Sequence, residues 1–382
     1  MYPHTLHGIL FSLLVTGMLS PDRTGPQQVA AQETPADVEG VHLLRIQSDL
    51  LTAFWGRPMY LEAGVVLPPE DKRDPAGTPV CYSIHGFGGS HRVAWRAGPR
   101  LREQIAAGQR PPMIYAFLNA QFSLGHHEFA DSVNNGPWGQ ALLKELVPAL
   151  EKKFQAAAVP GARFLTGHSS GGWSSLWLQI TYPDFFGGTW STAPDPVDFR
   201  DFTGIDIYRF PNAYEDPEGN KIQLMRRQGK FVLSIQDYVK SEIAKRDYGG
   251  QFASFDAVFS PRGEDGRPQP LFDRKSGKIN HTVAKAWEKY DIRLILKRNW
   301  EQLQPKIQGK LRIYMGTLDT FRLEGALKLL DAELKELKSD AQVVFIEGRD
   351  HGTLLQPHPE LWPRGLRTEI HQQMWKRWQQ SQ

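Results

Sequence analysis

The chain has 382 residues, 40% of them hydrophobic and 23% charged, and it carries 11 Trp, 11 Tyr and 20 Phe. Such a composition buries a sizeable core and excludes a wholly disordered chain, which would be poor in aromatics and strongly charged. A net charge of +3 without any long basic run argues against a nucleic-acid partner, and the single cysteine, Cys81, excludes an internal disulfide and a Cys-rich zinc site.

Residues 8–19 (GILFSLLVTGML) form an apolar run of 12, too short for a membrane span of about 20 residues but suited to the core of a signal peptide. Val29-Ala30-Ala31 offers a small-residue cleavage site. No Lys or Arg precedes the run, only His4 and His7. The expectation is a leader over residues 1–31 and an exported protein, periplasmic or secreted. No later segment is apolar enough for stable membrane insertion. Residues 32–382 are expected to form one domain.

Within that domain, residues 80–84 read as a buried strand, as do 113–118. Residues 138–154 have helical spacing, with Pro148 as a kink. A short strand at 163–166 precedes a helix at 170–181 and a strand-like run at 186–191. The pattern resumes with a strand at 311–315, a helix at 323–337 and a strand at 343–346. This alternation predicts a doubly wound, mostly parallel α/β sheet covered by helices on both faces. It is interrupted between about 196 and 309 by a polar stretch, expected to be an insertion or lid too poor in apolar clusters to hold its own core. Helical patterns stand out there at 231–245 and 283–300. Cys81, inside the first of these strands, reads as a core thiol.

The sharpest motif is Gly167-His168-Ser169-Ser170-Gly171-Gly172, which has the form G-x-S-x-G between a strand and a helix. That context presents a serine hydroxyl on a tight turn, and the glycines remove Cβ atoms that would clash as the chain doubles back. The following helix aims backbone N–H groups at the same spot. Ser169 is therefore the candidate nucleophile. Its partners should follow in the order acid, then histidine, each just after a later strand. Asp319 and His351 meet that requirement. Asp350 is the rival acid, ranked second because side chains of adjacent residues seldom face each other. For the oxyanion, the expected donors are the backbone N–H of Ser170 and that of Phe87 or a neighbour, in the turn His85-Gly86-Phe87-Gly88-Gly89. That turn lacks the third glycine of a dinucleotide-binding loop. The mechanism needs neither a metal nor an organic cofactor.

The loop after the 113–118 strand carries His126, His127 and Asp131, candidates for substrate contact with a polar surface loop as the equal alternative; adjacent histidines are a poor metal site. Asp195 and Asp198 read as capping or surface carboxylates.

With these residues in view, the sequence resembles the putative esterase family of α/β-hydrolases, which includes esterase D and enterochelin esterase-like proteins. The resemblance rests on His85-Gly86-Phe87-Gly88-Gly89, Gly136-Pro137-Trp138-Gly139, Gly167-His168-Ser169-Ser170-Gly171-Gly172, Tyr182-Pro183-Asp184, Gly316 with Asp319, and Gly348 with His351. It implies an α/β-hydrolase fold and hydrolysis of a small-molecule or acylated carboxylic ester or thioester through Ser169, Asp319 and His351. The chain departs from many relatives in having Ser170 where they have a larger apolar residue, and in the length of its insertion. Peptidase and acyltransferase activities use the same triad and stand as alternatives, with a non-catalytic binding protein behind them.

Overall fold

The computed structural model describes residues 38–245 and 250–382, so the expected leader lies outside the described residues. Eight strands form one sheet: β1 (Val41–Gln47), β2 (Tyr60–Val66), β3 (Val80–Ile84), β4 (Ile114–Leu118), β5 (Arg163–His168), β6 (Gly188–Thr192), β7 (Leu311–Gly316) and β8 (Gln342–Ile346), in the order β1-β2-β4-β3-β5-β6-β7-β8. β2 runs antiparallel to β1 and β4, and all other neighbours are parallel. β3 (VCYSI) and β4 (IYAFL) are near-continuous apolar runs because both of their faces are covered. Cys81 on β3 is wholly buried.

The helices used below are α1 (Val93–Ala106), α2 (Ser170–Thr181), α3 (Ile235–Lys245), α4 (Gln251–Phe259), α5 (His281–Trp287), α6 (Leu323–Glu336) and α7 (Leu366–Gln380). From β3 the chain steps to β4 on one side and later to β5 on the other, so right-handed crossovers put successive helices on opposite faces. The contacts agree. On one face α1 presses so closely on β2 that a Cβ at Gly64 would lie 2.5 Å from that of Ala94. On the same face α7 meets the sheet where the His371 and Tyr115 rings stand 4.7 Å apart and Trp190 Nε1 donates to Gln373 Oε1 at 2.8 Å. On the other face Ser191 Oγ of β6 donates to Gly172 O of α2 at 2.9 Å. This strand order, with an antiparallel second strand and helices on both faces, is the α/β-hydrolase fold.

Several elements depart from the sequence-based expectation. β1 and β2 were not anticipated. Residues 138–154 are helical throughout, as expected, and the turns at Leu142–Leu146 widen to a π-helix just before Pro148. Widening accommodates a residue without an N–H. In the 196–309 stretch, the expected helix at 231–245 begins as a strand, Lys230–Ser234, paired with Gln223–Arg227, before continuing as α3. The expected helix at 283–300 breaks where Asp291 caps Ile292–Arg298, accepting from Leu294 N at 3.0 Å.

That stretch is also less apolar-poor than its composition suggests. Phe199, Phe202, Phe255, Phe259 and Trp287 form a buried ring cluster that continues into Trp173 of α2. Each such ring buries roughly 150–250 Å², so this aromatic cluster ties the insertion to the helix that follows Ser169. Among the described residues no helix is long and apolar enough to cross a membrane.

Candidate active site

Ser169 stands between β5 and α2 with φ 61° and ψ −127°, a conformation costing on the order of 1–3 kcal/mol for a non-glycine residue. Its neighbours permit the turn. A Cβ at Gly167 would fall 2.0 Å from Gly171 O, and one at Gly171 would fall 2.1 Å from Ile84 O. Both contacts are with backbone, so no side-chain adjustment relieves them. The G-x-S-x-G spacing is thus a steric requirement of the turn. Ser169 N donates to Thr192 O at 3.1 Å, fixing the turn to β6.

Asp319 follows β7 and is wholly buried, while His351 follows β8 and is partly exposed. His351 Nδ1 and Asp319 Oδ2 are 2.7 Å apart. Asp319 Oδ1 accepts from Phe321 N at 2.9 Å, so the carboxylate is oriented from its own loop. Burial pulls the His351 pKa down, but the Asp319 carboxylate, with Asp195 and Asp350 behind it, more than offsets this and raises it above its ordinary 6.5. Asp350 instead accepts from Thr353 N at 2.9 Å and Thr353 Oγ1 at 2.7 Å, closing its own turn. The His351 ring lies 4.4 Å from that of His168, next to Ser169 in the chain, and 5.1 Å from that of Phe321.

The Ser169 hydroxyl itself donates to Asp195 Oδ1 at 3.2 Å. The other oxygen of Asp195 accepts from Ser170 Oγ at 2.6 Å and from Gln251 Nε2 at 3.3 Å. Asp195 is only 4% exposed, and burial, reinforced by the Glu128 carboxylate, pushes its pKa up to about 6. Asp198 is wholly buried, caps the turn at Arg200 and pairs with Arg200 and Arg293. The expectation of surface carboxylates is therefore corrected for both, although capping holds for Asp198. Asp195 was missed because a sequence does not tell that the chain leaving β6 folds back beneath Ser169; a carboxylate three residues beyond that strand was the available signal.

The turn after β3 packs on the serine, a Cβ at Gly86 lying 3.1 Å from that of Ser169. Phe87 follows it, half-buried. Ser170 opens α2, so its N–H has no intrahelical acceptor. His85 holds the turn: Nε2 accepts from Ala120 N at 2.9 Å, and Nδ1 donates to Gly86 O at 2.8 Å. Burial and neighbouring His126 lower its pKa to about 3, so the ring is neutral in this role.

His126, His127 and Asp131 do not line the cleft at Ser169. His126 and His127 are wholly buried. His126 Nε2 bonds His85 O at 2.9 Å, and His127 stacks on Trp138 at 3.8 Å. Asp131 accepts from Gly139 N at 2.9 Å and Tyr182 Oη at 3.1 Å. What does line the cleft is Asp195, Phe321 and Leu323 from the sheet loops and α6, together with Thr203, Leu224, Tyr238, Gln251, Phe252 and Phe255 from the 196–309 stretch. That stretch also braces the acid loop. Arg226 N donates to Thr320 O at 2.9 Å, and its guanidinium donates to Asp319 O at 2.8 Å and pairs with Glu324 at 2.5 Å.

A family model described as "Putative esterase" matches residues 60–352, more than half of the chain. The chain belongs to this esterase family. It is a carboxylic ester hydrolase accordingly. Solved structures similar to it include a ferulic acid esterase (13% identity, 81% of this chain and 91% of that one, TM-score 0.49). They also include the fluorophosphonate-binding serine hydrolase F of Staphylococcus aureus (13%, 88% and 98%, TM-score 0.49) and an S-formylglutathione hydrolase from Agrobacterium tumefaciens (14%, 82% and 90%, TM-score 0.47). No curated protein matches the chain. The match to the esterase model begins at β2 and ends one residue past His351, so it spans both the serine turn and the acid–histidine pair.

Proposed function

We propose that this esterase is a serine hydrolase in which Ser169 attacks the ester carbonyl, His351 takes its proton, and Asp319 orients His351 and balances its charge. The observation that carries the reading is the 2.7 Å contact between His351 Nδ1 and Asp319 Oδ2, with the opposite ring nitrogen left for a hydroxyl. The Ser169 hydroxyl, which donates to Asp195 in the free enzyme, turns about its Cα–Cβ bond to reach His351. The oxyanion is held by the N–H groups of Ser170 and Phe87; losing one such donor typically costs ~10²–10³ in rate. His351 then returns the proton to the leaving alcohol, and water attacks the acyl-enzyme by the same route in reverse. The 196–309 stretch acts as a wall and lid over the cleft, since seven of the lining residues come from it. The test is hydrolysis of 4-nitrophenyl acetate by the protein and by Ser169→Ala. A fall in kcat on the order of 10⁴–10⁶ is expected, and a variant within tenfold of the parent contradicts the reading.

A further inference from the structure

We propose that Asp195 is a specificity-determining residue that reads a hydrogen-bond donor, hydroxyl or ammonium, on the substrate group seated beside Ser169, and that it excludes anionic groups there. The inference rests on Ser169 being the nucleophile.

Asp195 is nearly sealed from solvent, yet its side chain lines the cleft. Most of its neighbours in the wall are apolar: Pro196, Leu224, Phe252, Phe255 and Phe321. An ionised carboxylate has about four acceptor positions. Ser170 and Gln251 occupy two on Oδ2, and Ser169 occupies one on Oδ1. The fourth is on the oxygen that touches the nucleophile. Among the described residues no Lys or Arg balances this charge; the facing titratable groups are Glu128 and His126 from the loop after β4, His351 from the loop after β8, and Tyr238 from α3. Glu128, wholly buried behind it and held by Ser174 Oγ at 2.6 Å, carries the same sign when ionised. A buried carboxylate with an open acceptor position, in a mostly apolar cleft, favours a donor and repels an anion.

The experiment uses four ethyl esters of one shape: 3-phenylpropanoate, 3-phenyllactate, phenylalaninate and monoethyl benzylmalonate. They carry hydrogen, hydroxyl, ammonium and carboxylate next to the carbonyl, and a mirrored series carries the same groups on the alcohol. A hydrogen bond to a charged partner corresponds to about 10- to 100-fold. In at least one series, kcat/KM for the hydroxyl or ammonium ester should exceed that for the plain ester by that factor, with the carboxylate ester at least about tenfold below it. The two donor arms show which donor is read. In Asp195→Ala, with Asp195→Asn as the shape-preserving companion and thermal unfolding as the check on folding, the spread should contract to about threefold, whatever the absolute rate. An unchanged spread in the two variants, or no spread in the parent in either series, overturns the proposal. Ser169→Ala, run in parallel on the plain ester, keeps the outcomes separable: retained hydrolysis there overturns the nucleophile, not the role of Asp195.

Discussion

Asp319 and His351 come from loops after two different strands, and the fold sets their side chains 2.7 Å apart, while Asp350, adjacent to His351 in the chain, turns away to Thr353. Spatial placement by β7 and β8 therefore outweighs sequence adjacency in setting which carboxylate His351 meets. Asp319→Asn should lower kcat on the order of 10³–10⁴, and Asp350→Asn should change it by less than tenfold. Steady-state kinetics on one activated ester checks both.

The same pair sets the pH dependence. In the proposed mechanism His351 acts as a base only when neutral, and its pKa is raised above 6.5 by Asp319 against the effect of burial. The acid limb of kcat/KM should therefore have its midpoint above 6.5. Removing the Asp319 charge lowers the histidine pKa, so in Asp319→Asn the residual activity should show its acid limb at lower pH. A pH–rate profile of both proteins reads the shift.

Asp195 adds a second dependence. Its pKa of about 6 means it is ionised at pH 7.5 and largely neutral at pH 5. Discrimination against the carboxylate ester should accordingly weaken at pH 5, because the repelling charge is lost. Ratios of kcat/KM at the two pH values measure this independently of the falling overall rate.

The serine turn should be intolerant of one methyl group. A Cβ at Gly171 meets Ile84 O at 2.1 Å. Gly171→Ala should destabilise the protein by about 1–3 kcal/mol or more. Thermal unfolding measures the loss.

Arg226 links the insertion to the acid loop. Its removal leaves the Glu324 carboxylate, itself 10% exposed, without its cation. Breaking such a buried pair costs about 3–5 kcal/mol. Arg226→Ala should lower the unfolding temperature, and kcat should fall as Asp319 loses the brace on its carbonyl.

The fold was legible in sequence where strands are buried on both faces and punctuated by glycine or proline. β3 to β7 have those features, β8 at the sheet edge keeps an apolar run (VVFI) ahead of Gly348, and the ends of all six differ from expectation by only a few residues. β1 carries Arg45 and Gln47 at the sheet edge, and β2 carries Glu62 and Gly64, so neither shows a continuous apolar run. Gly64 is there because α1 approaches too closely for a side chain, a reason visible only in three dimensions. Within the candidate site, the serine turn at Ser169 and the meeting of Asp319 with His351 were legible from spacing after strands. The hydroxyl of Ser170 was not, since its backbone N–H alone entered the expectation while its side chain bonds Asp195. His126 and His127 have polar side chains in a loop, yet they are packed inward by ring contacts that no local pattern records.

In the proposed mechanism Ser169 carries the acyl group. The most direct measurement is mass spectrometry of the protein after reaction with a fluorophosphonate, followed by peptide mapping. One phosphonyl adduct on Ser169, absent from Ser169→Ala, is the predicted result. An adduct on another residue, or labelling that persists in Ser169→Ala, would contradict the account.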